Sequence, residues 1–396
     1  MTSVLEGIKV LDLTQVYSGP FCTLLLKDLG AEVIKVERPE SGDLIRVDVP
    51  RTVGEEGGTF INFNRGKKSI TLDLKSERGL NICKELAGKV DILLENFSPG
   101  TMEKLGLGSQ ELCKLYPRLI YASIAAYGQT GPRRDFSGFD PIAQAMGGMT
   151  AVTGYPDTPV KCGVSIADLG AGVFTALSIV SALYHRLQTG EGQVIDISMQ
   201  DTVWLLTSLE HSPQYFLNGV APKRLGNAHP AMIPGNVYPT IDGKVFINAG
   251  VLVQLRRLYT VIGREDLINS PMGENQNVRI KYRDEIDTII TKWTETKTTA
   301  EVVDILKKAD VPCTKLPTFD EVCNDPQLIS RNMIIEVEQE MSGKVKVPGS
   351  LFKLSRTPGN IQYPAPLLGE NNMEVLSEML GYGEDEITQL SIDGII

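Results

Sequence analysis

The chain has little histidine: three residues among 396, at positions 185, 211 and 229, with no H-E-x-x-H pair. A zinc site is therefore not expected. No C-x-x-C links any of the six cysteines (22, 83, 113, 162, 313 and 323), a scatter that fits reduced thiols in a cytoplasmic protein. Neither G-x-G-x-x-G nor a P-loop occurs, so the usual phosphate cradles of nicotinamide and ATP enzymes are missing. Basic excess is lacking too. With 39 Lys and Arg against 49 Asp and Glu, the net charge is −10, which argues against nucleic acid or an anionic membrane as partner. An anionic ligand would need a local cationic patch. The longest weakly polar run, 169–184, is short for a bilayer span and carries Gly, Ala, Ser and Thr, so it reads as core. The opening MTSVLEGIKVLDLTQV has no basic stretch ahead of an apolar one, and no signal peptide is expected. Repeats and low-complexity tracts are absent.

What is present is an alternation of short apolar strands and helices. IKVLDL (8–13), a helix over PFCTLLLKDLG (20–30) and EVIKVE (32–37) make a βαβ unit. The pattern continues with SITLDL (69–74), a helix over 77–88, VDILLEN (90–96), LIYASI (119–124), a long helix, and QVIDISM (193–199). This grammar predicts an α/β fold, a Rossmann-like parallel sheet with helices on both faces. Glu37 ends the second strand where an acid could meet a ribose, but the first turn, TQVYSGPF, lacks the matching glycines. After about residue 200 the pattern changes. We expect a large domain from 1–200, a smaller α+β domain over 201–328, and a return to the large domain over 329–396, where IIEVEQEMSGKVKVPG reads as a hairpin.

Within CGVSIADLGAGVFTALSIVSALYHR (162–186), a carboxylate, Asp168, opens an almost chargeless helix. Its plainest role is to cap backbone N–H groups, Ser165 standing too early for a good capping box. The helix is apolar on every side (Val173, Phe174, Leu177, Ile179, Val180, Leu183), which predicts burial and a carboxylate partly shielded from water.

Several segments together say more. VLDLTQVYSGPFCTLLLKDLGAEVIKVERPESGD, NRGKKSITLDLKSERG, LLENFSPGTMEKLGL, YASIAAYGQTGP, GFDPIAQAMGG, SIADLGAG, RLGNAHP and PAPLLGENNMEVLSEMLGY, in this order from residue 5 onward, resemble the class III CoA-transferases, a family that includes the 2-methylacyl-CoA racemases. The resemblance implies an interlocked homodimer, CoA and acyl-CoA as substrates without a permanently bound cofactor, no metal, and a free carboxylic acid as acceptor. It puts a nucleophilic aspartate at Asp168. That carboxylate would attack a thioester, pass through an acyl anhydride and an enzyme-bound CoA thioester, and return the CoA to the incoming acid. Backbone N–H groups near Gly170 and Gly172 would serve developing oxyanions, and the helix terminus is expected to keep Asp168 ionised.

The same resemblance maps CoA binding onto Val16 and Tyr17 in the first turn, Arg38, Leu72 and Leu74, Asn96 and Phe97, and Lys104. Arg38 and Lys104 supply local cations for phosphate. Phe139, Asp140 and Asp48 are expected in the substrate pocket. The racemase branch carries a histidine where Phe139 stands, and phenylalanine cannot move a proton, so transfer is preferred over α-proton exchange. A non-catalytic CoA-binding protein is the remaining alternative. Formyl-CoA transferases carry a tryptophan at Asp48 and a glycine run near 249–256, where this chain has AGVLVQLR. That departure points away from formate and oxalate. The apolar Val251, Leu252 and Val253 would suit a larger acid.

Overall fold

The computed structural model describes residues 3–47, 52, 53, 56–359 and 363–396. The chain divides into two compact units, residues 1–149, 161–220 and 326–396 in the first, 150–160 and 221–325 in the second. The sequence pattern changes at 200, but the helix that crosses that point runs from Met199 to Asn218 and buries Met199, Thr202, Val203 and Thr207. It therefore stays with the first unit.

The first unit is built on β1 (Lys9–Asp12), β2 (Glu32–Glu37), β3 (Lys68–Thr71), β4 (Ile92–Glu95), β5 (Ile120–Ala125) and β6 (Val194–Ser198). All neighbours pair in parallel, in the order β6-β5-β4-β1-β2-β3. Strands run outward one way from β1 to β3 and the other way from β4 to β6, so the winding reverses between β1 and β4. Ligands of such sheets enter at the carboxyl ends beside that reversal.

Alternation of side chains dictates the two cores. Val10, Val33, Ile92 and Leu94 face one side, beneath helices α1 (Ser18–Asp28), α4 (Ile166–Thr189) and α5 (Met199–Asn218). Their neighbours Leu11, Ile34 and Leu93 face the other, beneath α2 (Glu77–Ala87) and the C-terminal helices α9 (Asn372–Leu380) and α10 (Glu384–Ile392). Leu93, Leu11 and Ile34 pair across three strands and fix that register. Between α2 and α4 lies the two-turn α3 (Asp140–Met146).

The second unit carries an antiparallel sheet of β7 (Gly235–Pro239), β8 (Lys244–Asn248) and β9 (Cys313–Lys315). Helices α6 (Leu252–Val261), α7 (Arg283–Thr294) and α8 (Thr299–Lys308) bury Leu258, Ile286, Ile290, Val302 and Leu306 against Tyr238, Val245 and Ile247. The tail returns through the hairpin β10 (Ile334–Gln339) and β11 (Gly343–Pro348).

One expectation is corrected. α4 is apolar all round but not buried all round: Val173, Leu177, Tyr184 and Leu187, on one stripe, are exposed in this chain. By length and composition it is the one helix among the described residues apolar enough to cross a membrane. Its N-terminal half packs tightly on α1, and its C-terminus is fastened by Arg186, which pairs with Asp91 at 2.7 Å and donates to the Arg118 carbonyl.

Candidate active site

Asp168 lies in the first turn of α4, two residues inside its start at Ile166. It is not a cap, and Ser165, which flanks the helix, makes no side-chain cap bond either. The capping is done from another helix. Asp140, at the start of α3, accepts the Ala167 N–H at 2.8 Å and the Gln144 side-chain amide at 2.7 Å. Gln144 in turn accepts the Cys162 N–H at 2.9 Å. This brace holds residues 162–167; among the described residues no basic side chain pairs with the Asp168 carboxylate. Burial, and behind it the Asp140 carboxylate, push the Asp168 carboxyl up to about 7. Helix-terminus N–H groups therefore do not hold it in the ordinary acid range. The amides of residues 166, 167 and 169 are already taken by Val164, Asp140 and Ser165.

Gly170 and Gly172 are corrected in the same way. Both sit within the helix, where the amide is spent on the carbonyl four residues back. Their lack of a side chain serves close packing: a Cβ on Gly172 would stand 2.7 Å from the Ser18 carbonyl, and one on Gly170 would stand 2.9 Å from Thr202. Gly172 thus brings the start of α1 against the helix one turn beyond Asp168.

At the strand reversal a cavity of about 980 Å³ opens beyond the carboxyl ends of β1 to β4. Arg38, Leu72, Leu74 and Phe97 line it as the sequence reading expects, joined by Gln15 and Lys75. Lys75 was missed; it sits one residue past Leu74, and only the fold shows that it shares the rim with Arg38. Glu37 is in the wall but committed, held by Arg46 through two bonds of 2.7 Å and by Ser69 at 2.7 Å, so it is not free to meet a ribose; Glu40 and Asp73 also line the cavity. Val16 and Tyr17 lie in the β1–α1 turn, next to Gln15, with the Tyr17 ring edge-on to Phe63 at 5.2 Å. Asn96 is redirected. Its amide accepts the Gln15 N–H at 2.9 Å and donates to the Gln15 carbonyl at 2.8 Å, so it fastens the turn and has little left for a ligand. Lys104 is exposed and outside the cavity lining.

Of the residues expected in the substrate pocket, Asp140 is buried and fully bonded, which makes it a brace beside Asp168. Phe139 is exposed at the start of α3. Asp48 lies outside the described residues. Gln144 escaped the sequence reading, although its spacing of four from Asp140 on a helix was the available signal. Among the described residues no cluster of three potential metal ligands occurs.

The first unit thus holds a poorly solvated carboxyl at the head of α4 and, at the strand reversal, a cavity whose lining includes Arg38 and Lys75. The sequence matches CoA-transferase family III over residues 5–372. It is 38% identical to succinyl-CoA–D-citramalate CoA-transferase of Chloroflexus aurantiacus, covering 99% of this chain and 98% of that one. Against succinyl-CoA:glutarate CoA-transferase of Mus musculus the identity is 36%, over 99% and 90%. Against acetyl-CoA:oxalate CoA-transferase of Acetobacter aceti it is 40%, over 94% and 95%. A solved CaiB/BaiF family protein from Brucella suis superposes with a TM-score of 0.84 at 32% identity, covering 96% of this chain and all of that one. The chain belongs to CoA-transferase family III, and it is a CoA-transferase.

Proposed function

We propose that the protein carries CoA from a thioester donor to a free carboxylic acid through covalent intermediates on Asp168. The observation that carries this reading is the state of that carboxyl: half-buried, without a cation, and pushed up to about 7. A poorly solvated carboxylate is a better nucleophile than one tied into an ion pair. An Asp168 oxygen attacks the thioester carbonyl, the C–S bond breaks, and an acyl–aspartyl anhydride and CoA thiolate result. The thiolate attacks the aspartyl carbonyl, expelling the donor acid and leaving CoA as a thioester on Asp168. An acceptor carboxylate displaces the thiolate to form a second anhydride. Attack of the thiolate on the acceptor's own carbonyl then gives the new acyl-CoA and restores Asp168.

Racemisation needs an acid and a base either side of an α-carbon, and Phe139 supplies neither. A non-catalytic role would leave the raised carboxyl without a purpose. For the donor we take succinyl-CoA, and for the acceptor an acid larger than oxalate. Support comes from the citramalate and glutarate enzymes among the relatives. A homodimer belongs to the same proposal. α5 likewise exposes Leu205, Leu209 and Phe216, apolar side chains that a second copy of the chain would cover. Cytoplasmic location suits the six unpaired cysteines.

The test is a panel of carboxylic acids offered with succinyl-CoA, acetyl-CoA or formyl-CoA, read as new acyl-CoA by chromatography. Transfer from succinyl-CoA to citramalate- or glutarate-sized acids that is lost in Asp168→Ala is the expected result. Activity confined to formyl-CoA with oxalate, or α-deuterium incorporation from heavy water without transfer, would overturn it.

A further inference from the structure

The turn between β1 and α1 holds a conformation its sequence resists. Val16 has a φ of 70°, a left-handed backbone that a β-branched residue avoids because its side chain crowds the neighbouring carbonyl. Such a conformation persists only where the surroundings over-determine it. Four side chains do so here. Asn96 clamps Gln15 by its N–H and carbonyl. Asp12 accepts the Thr14 N–H at 3.0 Å, and Lys35 Nζ donates to the Thr14 carbonyl at 2.7 Å. Asp43 accepts the Val16 N–H on its two oxygens, at 3.1 and 3.3 Å, and the Ile45 N–H at 3.2 Å. Lys35 and Asp43 are themselves paired at 2.8 Å, and neither side chain has any solvent exposure.

A wholly buried lysine–carboxylate pair is a poor stabiliser, because desolvation consumes most of the attraction and well-packed apolar side chains often serve as well. What an apolar pair cannot do is accept the Val16 N–H. The turn also stands between two parts of the site. Gln15 at one end lines the strand-reversal cavity, and the Ser18 carbonyl at the other lies against Gly172, one turn beyond Asp168. A relaxed Val16 would move both ends.

We propose that Lys35 and Asp43 are positioning residues for CoA transfer, holding the Gln15–Ser18 turn so that a thioester in the strand-reversal cavity is presented to Asp168. The inference rests on the Asp168 reading above. Neither residue lines the cavity, and their effect runs through the backbone of the turn. Their removal therefore falls on kcat more than on KM.

Two neutral double variants separate positioning from simple stability: Lys35→Met with Asp43→Leu, which leaves Val16 no acceptor, and Lys35→Met with Asp43→Asn, which keeps one oxygen. With succinyl-CoA as donor, the leucine double should lose kcat by about 10²-fold, the scale of an ångström of misplacement, with KM for succinyl-CoA within about threefold. The asparagine double should recover most of that loss. Equal kcat in the two doubles, retention of wild-type kcat by the leucine double, or a loss seen only in KM overturns the proposal. Should the leucine double fail to fold, Lys35→Met with Asp43→Ala, which also removes the acceptor but adds no bulk, takes its place: reduced kcat at unchanged KM upholds the proposal and unchanged kcat overturns it. Asp168→Ala is run beside them. If that variant keeps wild-type turnover, the nucleophile reading falls first; if it is dead while the leucine double is fully active, only the positioning proposal falls.

Discussion

Two aspartates within the first unit stand in opposite environments. Asp12, at the end of β1, is wholly buried. Burial alone would raise its pKa, yet Lys67, Lys35 and the Thr14 and Thr23 hydroxyls outweigh that and hold it down at about 2. Asp168, at the head of α4, is less deeply buried, has no cation and has a second carboxylate beside it, and it rises to about 7. Depth of burial does not separate them; partners do. The well-paired carboxylate is structural, with Lys67 Nζ at 3.1 Å and the Thr23 hydroxyl at 2.6 Å leaving little electron density to spare. The other is the carboxyl we propose as the nucleophile.

The pH signs follow. Asp12 ionises more readily folded than unfolded, so the stability it contributes is present above the unfolded carboxyl range and is lost as pH falls through about 2. Asp168 binds its proton more tightly when folded, so its contribution is present at acid pH and is lost as pH rises through about 7. Ionising Asp168 therefore costs the fold stability above that pH.

The comparison can be broken most sharply at Asp168. Asp168→Asn, assayed for CoA transfer, should lose roughly 10⁴-fold or more in kcat, as removal of a covalent nucleophile does. Its melting temperature at pH 8 should be no lower than wild type, because the costly anion is gone. At the paired site the sign reverses. Lys67→Met removes the cation paired with the buried Asp12 carboxylate and leaves it the more distant Lys35 and the Thr14 and Thr23 hydroxyls, and denaturant unfolding should report a loss of about 3–5 kcal/mol. Gly172→Ala tests the packing that joins the two regions: its methyl meets the Ser18 carbonyl at 2.7 Å, and the expected destabilisation is about 1–3 kcal/mol, with kcat reduced. The smallest effect sharpens the electrostatics. kcat/KM in wild type should fall below a midpoint near 7, and Asp140→Asn, which removes the like charge, should move that midpoint to lower pH. A pH–rate profile checks both, and an unmoved midpoint would leave burial as the sole cause.

Much of this architecture was legible because it depends on local pattern. The strands IKVLDL, EVIKVE, VDILLEN and LIYASI alternate apolar residues onto both faces, and that alone implies a sheet covered on both sides. Asp168 stood out as a lone charge in an apolar run, and Arg38, Leu72, Leu74 and Phe97 follow strands whose carboxyl ends meet at one cavity. What stayed hidden depends on residues far apart in the chain. That Asn96 spends its amide on Gln15 requires β1 and β4 to be neighbours at the reversal. That Asp140 takes the cap of α4 requires α3 to reach Ala167, 27 positions away. The exposed stripe of α4 stayed hidden too, because an apolar circumference alone does not say which faces the rest of the chain covers.

The most direct measurement is chemical trapping at the head of α4. The protein is mixed with succinyl-CoA and quenched with hydroxylamine, and the digested peptides are mapped by mass. Conversion of residue 168 to its hydroxamate in wild type, with no modification of Cys162 six positions earlier, is the result this account predicts. Efficient transfer with residue 168 unmodified, or with the label on Cys162, would contradict it.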